Sequence, residues 1–444
     1  MTSTAYKQYK NTNHAWIEAT PAHWKTGRVK DFVETNAAVK VPADLAEDAL
    51  VEFVPMTNVN DELGQITEFN FVPYRDVSTG YTKFKNKDVI FAKITPCMEN
   101  GNSAVVNGLC KNIGFGSTEF IVFRAKSKLG EKYLHYFFHN DLFLKNAEPF
   151  MKGTAGQKRI SSQFMATHFF ALPPLNEQFS IVSYLDKKTS RIDLNIGLLN
   201  KKAKQYEKLK QSLINETVTR GLDKTVAMKD SGVEWIGEVP VHWVVTAIAN
   251  VTSAVSIKNH PNEELLSVYR DYGVIIKSSR DDNHNKAGAD LASYKLVMPG
   301  YLVINKMKAW QGSLGISEYK GIVSPAYITC KTDTKLLNRS YFHHLLRCQS
   351  YIDEYNRLSF GVRNDQWDMR YVDFKYVPVL LPPLKEQAAI ANYLDEKTAK
   401  IDQIVITIND QIEKLKELRK TLINDVVTGK IKVTQDKEGE GLAA

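Results

Sequence analysis

The sequence of 444 residues is longer than one typical domain, and its 43% hydrophobic and 24% charged residues are ordinary for a globular protein. No segment approaches about 18 consecutive apolar residues and the N-terminus is polar, so we expect neither a membrane span nor a signal peptide, and we expect a cytoplasmic protein. The net charge of +8 favours an anionic partner only mildly, and it fits an ordinary solvated surface equally well.

The cysteines exclude the commonest kind of metal site. Cys97, Cys110, Cys330 and Cys348 have neither CxxC spacing nor a histidine framework beside them. A structural zinc site needs about four closely spaced ligands. We therefore expect reduced, isolated thiols and no metal.

Two short segments near the N-terminus and near the middle of the chain resemble each other. Residues 16–24 (WIEATPAHW) return as residues 235–243 (WIGEVPVHW), sharing both tryptophans, the proline and the histidine. We expect these segments to pack the entry of each half of the chain against a helical arm. Stacking of the tryptophans on bases is the alternative.

The segment that follows each of these entries has mixed character. Alternating β-branched and aromatic runs predict strands at residues 88–92, 118–123, 302–304 and 326–329. Helical periodicity appears at residues 131–145 and 338–355. We predict two compact domains of mixed α and β structure, residues 1–171 and 222–380.

A duplicated arm follows each mixed domain. LPPLNEQFSIVSYLDKKTSRID begins at Leu172 and returns as LPPLKEQAAIANYLDEKTAKID at Leu381, and 21 of the 48 aligned positions are identical, which establishes a duplication. The arms are residues 172–221 and 381–433, and residues 434–444 form a polar tail that we expect to be flexible.

Each arm predicts a long helix with an apolar stripe. The proline pairs mark the helix starts and Gly221 and Gly429 mark the ends, while a helix from about residue 189 to 220 would be roughly 45–50 Å long. The stripe advances by three or four residues, with two adjacent steps of three that shift its register at the same place in both arms. Its members are Ile192, Ile196, Leu199, Ala203, Tyr206, Leu209 and Leu213 in the first arm, and Ile401, Val405, Ile408, Ile412, Leu415, Leu418 and Leu422 in the second.

Two seams of equal length and phase predict that the helices pair as an antiparallel coiled coil. The fold class is then α+β, or mixed α/β. Two variable domains are separated by two long helices, and a pseudo-two-fold axis relates the halves.

The motifs of the expected enzyme classes are missing. The sequence contains neither the GxxxxGK[ST] phosphate loop of an ATP motor nor a Pro-Asp dipeptide that would begin a common nuclease pattern. The two PPL sequences lack the flanking residues of an amino-methyltransferase motif. Asp186, Asp193, Asp395 and Asp402 lie among lysines and threonines on the arms, which favours solvated or capping roles over acid–base catalysis. No catalytic residue is predicted.

Two dissimilar domains, each followed by an LPPLxEQxxIxxYLDxKTxxID arm, make the chain resemble the specificity subunits of type I restriction-modification systems from Trp16 to about Val433. The resemblance implies that each variable domain recognises one half of an asymmetric, bipartite double-stranded DNA site. It also implies that the arms set the spacing and bind two modification (methyltransferase) subunits, to which restriction (translocase-nuclease) subunits are added. The chain would bind no cofactor, while S-adenosylmethionine, ATP and Mg would belong to the partner subunits.

Candidate DNA contacts were selected as donor-rich side chains in loops. Lys93 and Lys306 follow equivalent strands and are the paired candidates for phosphate contacts. The loops at residues 153–161 and 359–367 precede the arms, and they are either DNA contacts or structural turns. Their candidates are Gln157, Lys158 and Arg159, and Arg363, Asn364 and Gln366. The polar stretch of the second domain adds Lys277, Arg280 and Asn283, with surface solvation as the alternative.

Two other functions remain open at this point. A scaffold whose coiled coil joins two protein-binding domains would show no salt-dependent DNA affinity. A self-contained methyltransferase or nuclease conflicts with the missing motifs.

Overall fold

The computed structural model describes residues 5–154, 156–270, 272–280, 288, 290–361 and 367–433. They form two compact units. Unit 1 combines the chain up to Leu198 with the chain from Gln411 onward, and unit 2 is Leu199–Asp410. Each unit therefore contains one mixed domain and a part of each arm.

The strands of unit 1 are β1 (Tyr9–His14), β2 (Ile17–Pro21), β3 (Lys25–Arg28), β4 (Val33–Thr35), β5 (Leu50–Val54), β6 (Val59–Asn60), β7 (Gln65–Ile66), β8 (Asn70–Pro73), β9 (Thr82–Phe84), β10 (Val89–Ala92), β11 (Ser103–Val105), β12 (Gly114–Gly116), β13 (Phe120–Ala125) and β14 (Phe169–Leu172). The strands of unit 2 are β15 (Met228–Asp230), β16 (Glu238–Pro240), β17 (Val244–Ala247), β18 (Thr252–Val255), β19 (Leu266–Tyr269), β20 (Gly273–Ile276), β21 (Lys295–Val297), β22 (Leu302–Ile304), β23 (Leu314–Ile316), β24 (Gly321–Val323), β25 (Ile328–Thr332), β26 (Ser359–Phe360), β27 (Asp368–Met369) and β28 (Pro378–Leu381).

The α-helices are α1 (Val29–Phe32), α2 (Tyr74–Val77), α3 (Cys97–Asn100), α4 (Glu131–Phe138), α5 (Asp141–Ala147), α6 (Ser162–Thr167), α7 (Leu175–Arg220), α8 (Ile248–Val251), α9 (Arg339–Arg347), α10 (Gln349–Leu358), α11 (Tyr371–Phe374) and α12 (Leu384–Val427). No described helix is both long and apolar enough to cross a membrane.

Each unit has its own four-stranded antiparallel sheet, and the two sheets have the same topology. The strand order is β11-β10-β13-β4 in unit 1 and β18-β25-β22-β23 in unit 2. In both units the strand before the arm pairs with a strand near the domain entry, β14 with β3 and β28 with β17. Unit 1 adds a second four-stranded sheet, β8-β5-β12-β9, in which β5 and β12 run parallel. The divergence of the sequence between the two domains thus lies around a sheet that has the same topology in each.

The predicted helical stretches of the mixed domains are each broken into two helices. Residues 131–145 form α4 and α5, because the side chain of Asn140 accepts a hydrogen bond from Phe143 N and caps a new helix. Residues 338–355 form α9 and α10, and Asn338 caps the first of them in the same way. Apolar periodicity continues across both breaks, which is why it predicted single helices.

The arms begin and end where the prolines and glycines indicated. α7 starts directly after Pro173 and Pro174 and ends before Gly221, whose φ of +72° stops the helix. Its 46 residues give a length of about 69 Å, longer than the predicted helix from residue 189, because the segment after the prolines is helical from its first turn.

The repeated Glu-Gln of the LPPLxEQ signature ties each arm to its domain. Gln178 accepts a hydrogen bond from Gly130 N at 2.8 Å and donates to Lys128 O and Pro173 O, both at 2.9 Å. In unit 2 Gln387 makes the equivalent set with Asn338 N, Leu336 O and Pro382 O. Both side chains are buried.

The apolar stripe of the arms differs from the prediction at one position in each helix. Leu209 and Leu418 are both 53% exposed. The next residue takes the inward position instead: Lys210 is bonded to Asp402 in unit 2, and Arg419 pairs with Asp193 in unit 1. The stripe therefore keeps its alternation of four and three without a register shift, and a basic residue stands where a count of apolar residues alone selects the adjacent leucine.

Candidate nucleic-acid interface

A short hairpin precedes the arm in unit 1, and it carries three of the predicted contact residues. Lys152 and Arg159 form its base through reciprocal backbone hydrogen bonds. At the top, Gly153 adopts a φ of +139°, and a Cβ there would lie 2.7 Å from Gln157 O, so only glycine fits. Gln157 and Lys158 are exposed.

The exposed side chain of Arg159 is tied to the domain by a carboxylate. Its guanidinium nitrogens donate to both carboxylate oxygens of Glu119, and the shortest distance is 2.8 Å. These hydrogen bonds lower the pKa of Glu119 below its usual range. Arg159 thus anchors the hairpin to the loop before β13.

Lys93 lies at the same junction. Its Nζ donates to Thr118 O at 2.8 Å, and its carbonyl accepts a hydrogen bond from Ile160 N at 2.8 Å. Both its charge and its backbone are therefore used to hold the hairpin against the end of β10.

Unit 2 repeats this arrangement with the charges exchanged. β26 and β27 form the base of the corresponding hairpin, and Lys306 Nζ lies 3.1 Å from Asp368 on it. Met369 N donates to Lys306 O at 3.0 Å, as Ile160 N does to Lys93 O. The predicted contacts Arg363, Asn364 and Gln366 of this hairpin lie outside the described residues.

The polar stretch of unit 2 begins with a short 3-10 helix, Lys277–Ser279. Lys277 is half-buried there, and Arg280 lies over the rings of Tyr272 and Tyr269, at 4.8 and 5.6 Å from their centroids. Asn283 lies outside the described residues. Arg280 therefore belongs to an aromatic cluster at the end of the β19–β20 hairpin, on a different loop from Lys306.

The repeated tryptophan segments pack against the arms, as predicted. Trp24 is buried, and its Nε1 donates to Glu177 at 3.1 Å, while His23 reaches the other oxygen at 2.8 Å. Trp243 and His242 make the same contacts with Glu386 at 3.1 and 2.7 Å. These buried rings are not available for stacking on bases.

Several structural residues were missed by reading the sequence. The hydroxyl of Tyr133 lies 3.0 Å from Ala171 O and 3.3 Å from Val427 O, and it joins the domain to the end of α12. Tyr341 does the same with Leu380 O and Val218 O in unit 2. A tyrosine recurs near the start of α4 and of α9, and this recurrence is the sequence signal that could have identified both residues.

The arm aspartates also have partners rather than only solvent. Asp186 accepts hydrogen bonds from Tyr136 and Lys132 at 2.7 and 2.8 Å. Asp395 accepts from Ser340 at 2.9 Å and lies 2.7 Å from His344. Together with Asp193 and Asp402 in the arm pairs, they fasten helices to one another and to the domains.

Known proteins resemble this chain in sequence. Residues 21–202 match the family model for the type I restriction modification DNA specificity domain. The specificity subunit of the type I restriction enzyme MjaVIII from Methanocaldococcus jannaschii is 24% identical over 436 residues, covering 93% of this chain and 94% of that protein. The chain is therefore similar to type I restriction-modification specificity subunits, over residues 21–202 in the family model and over nearly its whole length in this relative.

Other specificity subunits match the chain over shorter stretches. The EcoAI and EcoEI specificity subunits of Escherichia coli are 37% and 31% identical over 163 and 168 residues, or 36% and 38% of this chain. These alignments cover 27% and 28% of the two relatives, so the chain spans only about a quarter of their length.

Solved structures share the fold. A chain from a structure described as showing complex assembly and conformational transition of the type I R-M system has a TM-score of 0.69 at 18% identity, with 92% of this chain and 98% of that one covered. The HsdS subunit from Thermoanaerobacter tengcongensis has a TM-score of 0.53 at 19% identity, covering 95% and 100%. The specificity-subunit fold therefore extends over nearly the whole chain.

Proposed function

We propose that this chain is the non-catalytic DNA-recognition subunit of a type I restriction-modification complex, and that its two variable domains bind the halves of an asymmetric bipartite site. The observation that carries the proposal is the pairing of the duplicated arms. Asp193 pairs with Arg419, and Lys210, 17 residues further along α7, pairs with Asp402, 17 residues back along α12. Such a pairing supports an antiparallel coiled coil with pseudo-two-fold symmetry.

The predicted boundaries follow from the same duplication. Residues 1–171 and 222–380 are the proposed target recognition domains, residues 172–221 and 381–433 are the arms, and residues 434–444 are a tail. An antiparallel spacer would carry the two domains at its opposite ends. The length of the arms would then determine how many base pairs separate the half-sites.

The hairpins that precede the arms are the proposed points of DNA contact. Gln157 and Lys158 lie exposed on the first, and Arg363, Asn364 and Gln366 belong to the second. Glutamine, asparagine and arginine side chains suit base edges, and lysines suit phosphates. Lys93, Arg159 and Lys306 have internal partners, which favours holding the hairpins in place over making the contacts themselves.

The polar stretch of unit 2 supplies the remaining proposed contacts. These are Lys277, Arg280 and Asn283. Because Arg280 lies against two tyrosine rings, its guanidinium starts from a restricted set of orientations. Such a side chain loses less entropy when it binds a base or a phosphate.

The arms also present apolar surface for protein partners. Phe179, Leu194 and Leu198 are exposed on α7, and Ile404 and Ile406 on α12. Exposed apolar side chains along a helix favour docking of other helices. We propose that two methyltransferase subunits cover these surfaces and that restriction subunits join through them in the cytoplasm. S-adenosylmethionine, ATP and Mg would bind on those partners and not on this chain.

The direct test is to map methylated adenines across the host genome with and without the gene for this chain. The expected result is a single bipartite motif, with two unlike halves at fixed spacing, that disappears when the gene is removed. An unchanged methylation pattern would contradict the proposal. If the protein is instead a scaffold, purified chain with its methyltransferase partner will show no salt-dependent affinity for DNA.

The spacer role has its own test. Deleting residues 200–206 and 409–415, one heptad from the same place in each arm, shortens the helices by about 10.5 Å, or about three base pairs. The preferred spacing should change while both half-sites stay the same. Spacing that is indifferent to the deletion would eliminate the spacer role and leave DNA recognition intact.

A further inference from the structure

A pair of tryptophans lies beside the hairpin of unit 2. The ring centroids of Trp310 and Trp367 are 5.4 Å apart with an angle of 47° between their planes. Both rings are partly exposed, in contrast to Trp24 and Trp243, which are buried under the arms. A pair of large aromatic rings that remains partly exposed is a common feature of binding surfaces.

The surrounding structure holds this pair firmly. Trp310 belongs to the 3-10 helix Ala309–Gln311, and its indole nitrogen donates to Met307 O at 3.2 Å. Trp367 directly precedes β27, whose Asp368 is bonded to Lys306 and whose Met369 is bonded to the Lys306 backbone. The two rings thus come from the two chain segments that meet at the base of the hairpin.

The neighbouring residues indicate which kind of partner would bind. Lys308 is exposed, and in the chain it follows Met307, which is also exposed, and lies two residues before Trp310. Aromatic rings beside lysines and glycine-containing loops are typical of surfaces that contact nucleic acids, where rings stack on bases or sugars and cations lie near phosphates.

Unit 1 has an aromatic pair in a similar position in the chain. Phe150 and Phe164 stack with centroids 4.6 Å apart, and Phe150 is 54% exposed. Phe150 ends the turn just before the first hairpin, and Phe164 lies in α6 just after it. Paired rings that are at least partly exposed therefore lie at the base of the hairpin in both units, although different residues supply them.

We propose that Trp310 and Trp367 form a stacking surface for duplex DNA in the second recognition domain, packing on deoxyriboses or on a base that has left the stack next to the half-site. The inference rests on the proposed function, and it adds two aromatic residues to the polar DNA contacts proposed there. Stacking contributes apolar contact without releasing counterions, whereas each lysine–phosphate contact does release them. The two kinds of contact therefore differ in their salt dependence.

The test uses the full chain, co-purified with its methyltransferase partner, and a 30-bp duplex of arbitrary sequence. Trp310→Leu with Trp367→Leu should weaken binding at least about fivefold while the slope of log K against log salt is unchanged. Lys308→Ala should instead reduce the slope by about 0.9. Tyr376→Leu is the matched control, because Tyr376 is another exposed ring of unit 2 next to a lysine, 4.8 Å from Lys375 Nζ.

The outcomes separate the two proposals. If the wild-type complex has no salt-dependent affinity for the duplex, the proposed function itself fails. If it binds and the leucine variant binds equally well, the stacking surface is refuted. A variant that binds DNA normally but loses the methyltransferase also refutes it, since the rings would then face a protein.

Two further measurements distinguish the loss of the ring contacts from a loss of folding. Trp310→Phe with Trp367→Phe keeps both rings and should restore at least half of the lost affinity. Tryptophan emission of the wild-type complex should be quenched when DNA is added, and this quenching should be absent in the phenylalanine variant. Equal quenching in the two proteins would contradict the proposal.

Discussion

The two arm ion pairs give a prediction with its own internal control. They occupy equivalent positions of the repeat but differ in burial. The side chains of Arg419 and Asp193 are 12% and 26% exposed, and those of Lys210 and Asp402 are 32% and 54% exposed. Burial raises the pKa of Asp193, and Arg419 only partly opposes this effect, so the carboxylate loses more hydration than the pair returns.

The expected energies follow from this difference. Arg419→Leu leaves the Asp193 carboxylate partly buried without its cation, and the free energy of unfolding should fall by about 2 kcal/mol, below the full cost of breaking a completely buried pair. Lys210→Leu breaks an exposed pair and should cost less than about 1 kcal/mol. Replacing both Asp193 and Arg419 by leucine should recover most of the loss, because the seam becomes apolar throughout.

Urea denaturation of the three variants and the wild-type chain, followed by the circular dichroism of the long helices, measures these differences. The slopes against urea must agree among variants for the energies to be comparable. If Arg419→Leu and Lys210→Leu cost the same, or if the double leucine variant is no more stable than Arg419→Leu, then burial does not determine the contribution of these pairs.

Three other predictions concern stability. Gly429→Ala should destabilise the protein by more than about 1 kcal/mol, since φ is +79° and the new Cβ would lie 2.4 Å from a proline ring. Gly197 lies in the middle of α7, and a Cβ there would meet nothing within 4 Å, so Gly197→Ala should stabilise the protein by about 0.5–1 kcal/mol. Thermal melting compares the two variants. Gln178→Ala removes three hydrogen bonds of a buried amide and should cost about 2–3 kcal/mol in urea, and a cost below 1 kcal/mol would show that water replaces them. Burial lowers the pKa of His139 to about 4, so the unfolded state takes up a proton near pH 6.5 that the folded state accepts only near pH 4. The free energy of unfolding should therefore fall by about 3 kcal/mol as the pH drops across this window. His139→Gln should lose that part of the pH dependence.

The arms were the most predictable part of the fold because their information is local and repeated. Proline pairs, a glycine and a regular apolar spacing determine a helix with little help from the rest of the chain. The error at Leu209 and Leu418 has a physical reason. A lysine or arginine stem covers apolar surface while its charge reaches a carboxylate, so a seam position need not be apolar.

The contact residues were much less predictable. Lys93 and Arg159 were selected for their donors, but their partners, Thr118 and Glu119, lie 25 and 40 residues away in the chain. Nothing in the local sequence indicates that these donors are used internally. The contact between Glu177 and Trp24 was within reach of sequence reasoning, because a Trp at the domain entry and a Glu in the LPPLxEQ signature recur together in both halves.

The exchanged charges at the hairpins bear on where the proposed base contacts lie. In unit 1 the cation, Arg159, lies on the hairpin, and the anion, Glu119, lies in the loop before β13. In unit 2 the anion, Asp368, lies on the hairpin, and the cation, Lys306, lies after β22. Because either arrangement closes the same junction, the sign of the charge there serves attachment and not base choice. If Arg159 contacted a phosphate it would have to leave Glu119, and Asp368 would repel the phosphate at the equivalent place. Under the proposed function, we therefore expect the residues that discriminate between bases to lie beyond these anchors, towards the tips of the hairpins and in the loops that the two units do not share.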